Sequence, residues 1–364
     1  MRQPEGFRST DSKGTELVCL LKKALYGLKQ APRNWNKTIT AWLEEYGFCQ
    51  SKVDPCIFIY QKGGQLYILA LYVDDSIIAG AAGRFIPEFK VAFGSRFNVQ
   101  DLGPVSWLLG MTVERDRGTG IIRLGQRQYV LDMLERFNMM DCKPVSSPMA
   151  VDAVGKCGDE TSVTQLPPRS VPYQSLIGSL LYASVSTRPD ITMAVSHLSR
   201  YMANPCHAHW EQAKRVLRYL KGTADASLVY GSSVRSSELV GWSDSDYASD
   251  VAGRRSRTGY VFMLNGAAVS WKSQRQQTVA LSTAEAEYMA LTSATQEAMF
   301  LRQLMHELHQ DSGSAVTIHE DNQSCIALSK NSMTTGRSKH MDVRYHFCRE
   351  KVESGDIEVK YCAT

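Results

Sequence analysis

The chain has nine cysteines but no Cys-x-x-Cys pair, and no stretch approaching the roughly 18 uninterrupted apolar residues of a membrane span. Odd in number and scattered, the cysteines argue against a disulfide framework or a zinc site, and for reduced thiols in a cytosolic or nuclear compartment. The opening Met1-Arg-Gln-Pro-Glu-Gly lacks the apolar centre of a signal peptide, so no membrane association is expected. An excess of one charge is missing too: net +4 is too small to mark a nucleic-acid partner by itself. Basic residues do gather at Lys22, Lys23, Lys29 and Arg33, at Lys214, Arg215, Arg218 and Lys221, at Arg254, Arg255 and Arg257, and at Arg337, Lys339 and Arg344. A solvated surface accounts for any one cluster. What is present describes a globular protein: 43% hydrophobic and 21% charged residues over 364 positions, enough for two or three packed domains.

From Leu17 to Tyr46 apolar residues recur at helical spacing, with Pro32 as a break, which predicts two short helices. Ile57 to Tyr60 and Leu66 to Val73 read as strands around a Gly63-Gly64 turn, and Ser76 to Ala79 as a third. A strand pair is expected around Trp107 to Glu114, and a helix from Arg127 to Phe137. The proline-rich stretch Cys142 to Pro172 reads as a linker or extended crossing. Helices follow at Ile191 to Met202 and His207 to Lys221, the latter bounded by Asn204, Pro205 and Gly222. A small, polar stretch from Gly231 to Ser237 marks another boundary. Beyond it come strands at Leu239 to Ser243, Gly259 to Leu264 and Ala267 to Trp271, the last two joined by the strong hairpin signal Asn265-Gly266. A long helix from Thr283 to about His309 and a strand from Val316 to His319 complete the pattern.

Asp74 and Asp75 interrupt the apolar run that extends from Leu66 to Val73 and resumes at Ile77 and Ile78, which places two carboxylates at a hairpin tip. Like charges about 4 Å apart repel by roughly 1 kcal/mol in water and by several times more where the dielectric is lower. Either the tip is wet or a cation lies there, and a polymerase-type paired-metal site would supply one. On the dipeptide alone an exposed acidic turn is the simpler account.

The long helix carries a sharper pattern. Glu287, Leu291, Ala294, Ala298, Leu301, Met305 and Leu308 fall on one face, so Glu287 heads a buried stripe and calls for a partner or a metal. Glu285 has a structural explanation, because Ser282-x-x-Glu285 fits a capping box. Asp244 and Asp246 end one strand and Asp321 follows another. If those strands are neighbours with the helix packed on them, Asp244, Glu287 and Asp321 converge at one edge. Such a set suits hard, oxygen-liganded Mg²⁺. Singly, each acid reads as a cap or a surface residue; the conjunction is what suggests a site.

Ordered blocks then become recognisable: Leu21 to Arg33 (LKKALYGLKQAPR), Leu71-Tyr-Val-Asp-Asp75, Asp101-Leu-Gly-Pro, Lys143-Pro-Val, Arg188-Pro-Asp-Ile and Lys214 to Gly222 (KRVLRYLKG). Ser243-Asp-Ser-Asp-Tyr-Ala, Ser270-Trp-Lys-Ser, Glu285-Ala-Glu-Tyr, Asp321-Asn-Gln-Ser and Lys339 to Phe347 (KHMDVRYHF) follow. Over nearly its whole length the chain resembles the polymerase region of copia-type long-terminal-repeat retrotransposons.

The resemblance implies a mixed α+β fold: a right-hand polymerase palm (an antiparallel sheet with helices) and thumb, then an RNase H-like α/β domain. The implied divisions are a palm at 1–115 with the fingers largely missing, a thumb at 116–145, a connection-like helical region at 146–236, and the RNase H-like domain at 237–364. It implies an RNA-directed DNA polymerase that also cuts RNA in hybrids, using Mg²⁺ or Mn²⁺. RNA template, DNA primer, RNA–DNA hybrid, deoxynucleoside triphosphates and other parts of the polyprotein are the implied partners, in a cytoplasmic virus-like particle or the nucleus. Asp74 and Asp75 match palm metal ligands, and Asp244, Glu287 and Asp321 match three RNase H acids. Leu109 and Gly110 resemble the primer grip, and Tyr26 and Lys29 lie in the segment beside the incoming nucleotide. Against the family pattern, an upstream aspartate strand and a terminal helix with a fourth acid are not found. Asp342, on a predicted helix before the last strand, is not assigned that role. Weak or absent activity of this polypeptide alone is therefore the expectation, with a nuclease-only fragment and a non-catalytic nucleic-acid-binding remnant as alternatives.

Overall fold

The computed structural model describes residues 1–150, 167, 170–231, 238–250, 253–310, 313–330 and 339–363. The architecture is mixed α/β, with three sheets flanked by helices. The chain divides into two units, Met1–Asp101 and Leu102–Thr364.

In the first unit, helix α1 (Ala31–Tyr46) precedes strands β1 (Cys49–Gln50), β2 (Ile57–Lys62), β3 (Gln65–Tyr72) and β4 (Asp75–Gly80), and helix α2 (Phe85–Arg96) follows. The strands form an antiparallel sheet in sequence order. Gly63 and Gly64 join β2 to β3 with φ of 58° and 75°, left-handed values that a tight hairpin demands and glycine supplies cheaply. Phe85, Phe89 and Phe93, spaced by four, present one ring face of α2 to Ile39, Leu43, Phe58 and Leu69. Each such fully buried side chain contributes roughly 1.5–3 kcal/mol. The two short helices expected from Leu17 to Tyr46 are one: Pro32 sits in the first turn of α1, where its missing N–H costs nothing, so it starts the helix instead of dividing it. Upstream, Leu17, Val18, Leu20 and Leu25 are exposed, and no helix forms there without a surface to pack on.

The second unit opens with β5 (Trp107–Leu108), β6 (Met111–Asp116) and β7 (Ile121–Gly125), joined by the later β8 (Ser227–Tyr230) into an antiparallel sheet. The boundary expected after 115 thus falls within β6. Helices α3 (Arg127–Arg136), α4 (Tyr173–Ser186), α5 (Thr192–Ser199) and α6 (His207–Gly222) share one core, in which Val130, Met133 and Leu134 meet Leu176, Leu180, Val195 and Leu217. The stretches 116–145 and 146–236, separated in the sequence reading, therefore pack together. Most of the expected linker (151–166 and 168–169), like 232–237 of the next boundary, lies outside the described residues.

The C-terminal part comprises β9 (Val240–Asp246), β10 (Arg257–Leu264), β11 (Ala267–Arg275), α7 (Thr283–Glu307), β12 (Val316–Glu320), α8 (Gln323–Lys330), α9 (Lys339–Glu353) and β13 (Ile357–Tyr361). Its sheet runs β11-β10-β9-β12-β13: an antiparallel meander extended by two strands parallel to β9. Asn265 and Gly266, with φ of 52° and 90°, make the expected two-residue hairpin. Among the described residues no helix is long and apolar enough to cross a membrane.

Candidate functional site: a buried carboxylate cluster

The first predicted acids sit at the β3–β4 turn. Tyr72 pairs with Asp75, so Val73 and Asp74 form a two-residue loop and Asp75 begins β4. Val73 holds φ at 55°, a strained value for a β-branched residue, and its carbonyl accepts a 2.8 Å bond from Trp35 Nε1. Asp74 and Asp75 are exposed, as is Lys29. The Tyr26 hydroxyl donates to Asp74 Oδ2 at 2.6 Å, and this bond to an acid raises the phenol above its ordinary range.

Leu109 and Gly110 form the corresponding turn between β5 and β6, with φ of 48° and 74°. The Tyr182 hydroxyl, from α4, donates to the Leu109 carbonyl. A side chain at position 110 would lie 2.6 Å from that hydroxyl, so glycine is required by space as well as by φ.

The second set of acids does converge. Because β9 and β12 run parallel with Trp242 opposite His319, Asp244 and Asp321 emerge at the same sheet edge, each two residues beyond that pair. Glu287 reaches this edge from the start of α7, whose N-cap Ser282 accepts the Glu285 N–H at 3.2 Å. The Glu285 carboxylate accepts from Leu281 N instead of Ser282 N, so the expected capping box closes one residue early, and Glu285 stays structural. Ligand oxygens of Asp244, Glu287 and Asp321 all lie within 4.8 Å of one another. Among the described residues this is the one group of three or more such side chains able to hold a single ion; Asp74 and Asp75 are in no such group.

Glu287 is 7% exposed, and its Oε2 is buried without a hydrogen-bond partner. Burial, then the charges of Glu320, Asp244 and Asp321, push its carboxyl up to about 8; the Ser245 backbone N–H opposes this. Asp244 is raised by its crowding in protein and then by Asp321 and Asp246. Such a set repels itself unless protonated or neutralised by a cation. All-oxygen donors with an unpartnered buried oxygen fit a hard divalent ion.

Glu320 was not anticipated. It is 1% exposed, and burial raises it to about 7. Its Oε2 accepts from Ser243 Oγ at 2.6 Å and its Oε1 from Asn322 N at 3.4 Å. The alternation Val316, Ile318, Glu320 on the buried side of β12 is the signal that could have found it.

The basic cluster on α6 is already engaged. Arg218 Nε donates to the Lys143 carbonyl and Lys221 Nζ to that of Cys142, both at 2.7 Å, while Arg215 meets Ser147 Oγ at 2.9 Å. These residues anchor the segment 142–147. Arg188 is likewise structural: buried, it forks onto Asp190 and donates to the Thr223 carbonyl. Lys22, Lys23 and Arg33 are exposed. The side chains of Arg337, Lys339, Asp342 and Arg344 lie outside those described.

Residues 1–151 match the reverse transcriptase (RNA-dependent DNA polymerase) family. Over 369 aligned residues the chain is 42% identical to the retrovirus-related Pol polyprotein from transposon TNT 1-94 of Nicotiana tabacum, covering all of this chain and 27% of that one. It is 30% identical over 302 residues to the putative transposon Ty5-1 protein of Saccharomyces cerevisiae, covering 82% of this chain and 94% of that protein. Among solved structures, the foamy viral protease-reverse transcriptase in complex with dsDNA aligns with a TM-score of 0.45 and 12% identity, over 93% of this chain and 60% of that one. The chain spans about a quarter of the length of the tobacco and Arabidopsis polyproteins it matches.

Proposed function

Because this chain belongs to the reverse transcriptase and RNase H region of copia-type long-terminal-repeat retrotransposon polyproteins, we propose that its C-terminal part cleaves the RNA strand of RNA–DNA hybrids. The observation that carries the reading is the convergence of Asp244, Glu287 and Asp321. Mg²⁺ or Mn²⁺ suits this donor set; held by the three carboxylates, it would supply an activated water and a stabilised leaving oxygen.

The chain's own residues divide the remaining work. Glu287 projects an unpartnered oxygen from a fixed helix start, so it binds without reorganising. Asp244 is the exposed member, open to a phosphodiester approaching the sheet edge. Trp242, on the same side of β9 as Asp244, is 36% exposed and stacks on His319 at 5.2 Å, a surface for sugar or base contact.

We extend the proposal to primer extension with deoxynucleoside triphosphates at the Asp74–Asp75 hairpin, and to a setting in a cytoplasmic particle or the nucleus beside other parts of the polyprotein. Two exposed acids with no third ligand among the described residues make polymerisation the weaker activity of this chain.

The test is a labelled RNA–DNA hybrid incubated with the chain in Mg²⁺ or Mn²⁺, beside a primer-extension reaction. RNA cleavage that disappears in Glu287→Gln is expected. Salt-sensitive hybrid binding without cleavage, equal in wild type and Glu287→Gln, would replace the enzyme with a binding module.

A further inference from the structure

A buried carboxylate that takes no part in the ion-holding group demands a reason. Glu320 occupies a position where β12 otherwise places apolar side chains, and well-packed hydrophobic groups usually serve stability as well as or better than a buried charge. Both of its oxygens are engaged, and its two partners are informative. Ser243 immediately precedes Asp244, and Asn322 immediately follows Asp321. Asn322 is itself fixed, because its Oδ1 accepts from Cys325 N at 3.0 Å at the start of α8. Glu320 therefore spans from the strand that delivers one ligand to the turn that delivers another.

We propose that Glu320 is a positioning residue that sets the separation of Asp244 and Asp321 by tying Ser243 to Asn322. The inference rests on the metal-site reading above and adds a residue to it. Outer-shell partners of ligating carboxylates typically change metal affinity by about 10–100-fold when removed, because they fix ligand orientation. Glu320 acts through its hydrogen bonds, so glutamine should replace it: its amide oxygen accepts the Asn322 N–H and its NH2 donates to Ser243 Oγ, a hydroxyl that can accept as well as donate.

The experiment is Mn²⁺ titration of the full chain, read by the loss of the free-ion electron paramagnetic resonance signal, with far-ultraviolet circular dichroism to check folding. Wild type should bind, and Asp244→Asn should abolish binding. Glu320→Ala should weaken binding by about 10-fold or more, whereas Glu320→Gln should remain within about 3-fold of wild type. Ser243→Ala removes the same bond from the other side with a minimal change of volume. It should weaken binding like Glu320→Ala, with no further loss when the two are combined. If Glu320→Gln loses as much as Glu320→Ala, charge and not tethering is responsible, and the proposal falls. Should Glu320→Ala misfold, Ser243→Ala decides alone, and unchanged affinity there overturns the proposal. Wild type that fails to bind Mn²⁺, or binds it regardless of Asp244→Asn, overturns the metal-site reading and this inference together; binding that needs Asp244 but ignores Glu320 and Ser243 overturns only the inference.

Discussion

The Tyr26 hydroxyl and the Asp74 carboxylate are joined by a 2.6 Å hydrogen bond that links the Leu21 to Arg33 block to the tip of the β3–β4 hairpin. The bond occupies one lone pair of an acid that we propose as a polymerase metal ligand; it holds the phenol's proton, and the Asp74 charge adds to the effect because ionising Tyr26 would set two anions face to face, so the phenol is raised. Tyr26 should therefore ionise above the ordinary tyrosine range. Asp74→Asn should bring it back, whereas Asp75→Asn should not. Ultraviolet difference titration against Tyr26→Phe isolates the signal; a phenol indifferent to Asp74→Asn means the contact does not form in solution.

At the other acid site, the charge imbalance sets a pH dependence. Glu287 is held at about 8 in the fold and returns to an ordinary carboxylate value on unfolding. Between those values the folded state keeps a proton that the unfolded state has released. Its stabilising contribution is complete at low pH and lost as pH rises toward 8. Without divalent ions, melting temperature should fall across that range. Glu287→Gln should flatten the slope and stabilise the metal-free protein at pH 8 by on the order of 2 kcal/mol. Mn²⁺ should restore wild type and leave the variant unchanged; a variant that melts lower than wild type at pH 8 without metal contradicts the argument.

Legibility in the sequence followed the range of the interactions. Gly63-Gly64 and Asn265-Gly266 are readable because turn geometry is decided by the residues that occupy it, and the Glu287 stripe because Glu287, Leu291, Ala294 and Ala298 keep helical spacing and are all buried, although 285–292 are enclosed on every side. Helix α4 is not marked by its polarity pattern because its exposed positions, Gln174, Ser175, Gly178 and Val185, carry no charge while Ser179 and Ser184 are buried, so the face that burial defines has no matching polar signal in the sequence. Strand β8 was hidden for another reason: its partner β7 lies about a hundred residues earlier, and nothing local announces the pairing. Glu320 lies one position beyond the strand that the sequence pattern predicts, which ends at His319, whereas the pairing continues to Glu320. The convergence of Asp244 and Asp321 was available only as a condition on neighbouring strands, and the parallel register supplies that condition.

Asp250 holds two arginines from different parts of the second unit. Buried at 5% exposure, it accepts from Arg200 at 2.5 Å and from Arg275 at 2.8 Å, and these bonds keep its carboxyl low despite burial. Arg200 follows α5 and Arg275 ends β11, so the acid fastens the helical core to the C-terminal sheet. Removing one member of a buried ionic group strands the others, at a typical cost of about 3–5 kcal/mol. Asp250→Ala should destabilise the chain by roughly that amount in urea unfolding, and Arg200→Ala by somewhat less, since Arg275 still satisfies Asp250. An effect below about 1 kcal/mol for Asp250→Ala would show the network to be solvated.

The helical core carries the opposite pH dependence. His209 stacks on Tyr201 at 3.7 Å, and its Nδ1 accepts the Cys206 N–H at 3.0 Å, a bond only the neutral ring can accept. His197 is also buried. Burial lowers both imidazoles to about 4, helped for His197 by Arg257 and Arg200 and for His209 by Arg200. With folded values below the ordinary 6.5, the unfolded chain binds more protons between about pH 6.5 and 4. The stability from these rings is therefore intact above 6.5 and lost as pH falls, by on the order of 3 kcal/mol for each at the acid end. His209→Gln keeps an acceptor for the Cys206 N–H and has no proton to gain. It should reduce the acid-side slope of unfolding free energy by about half while changing stability at pH 7.5 much less. If the acid-side slope stays at its wild-type value in both His209→Gln and His197→Gln, these rings are not the groups that titrate.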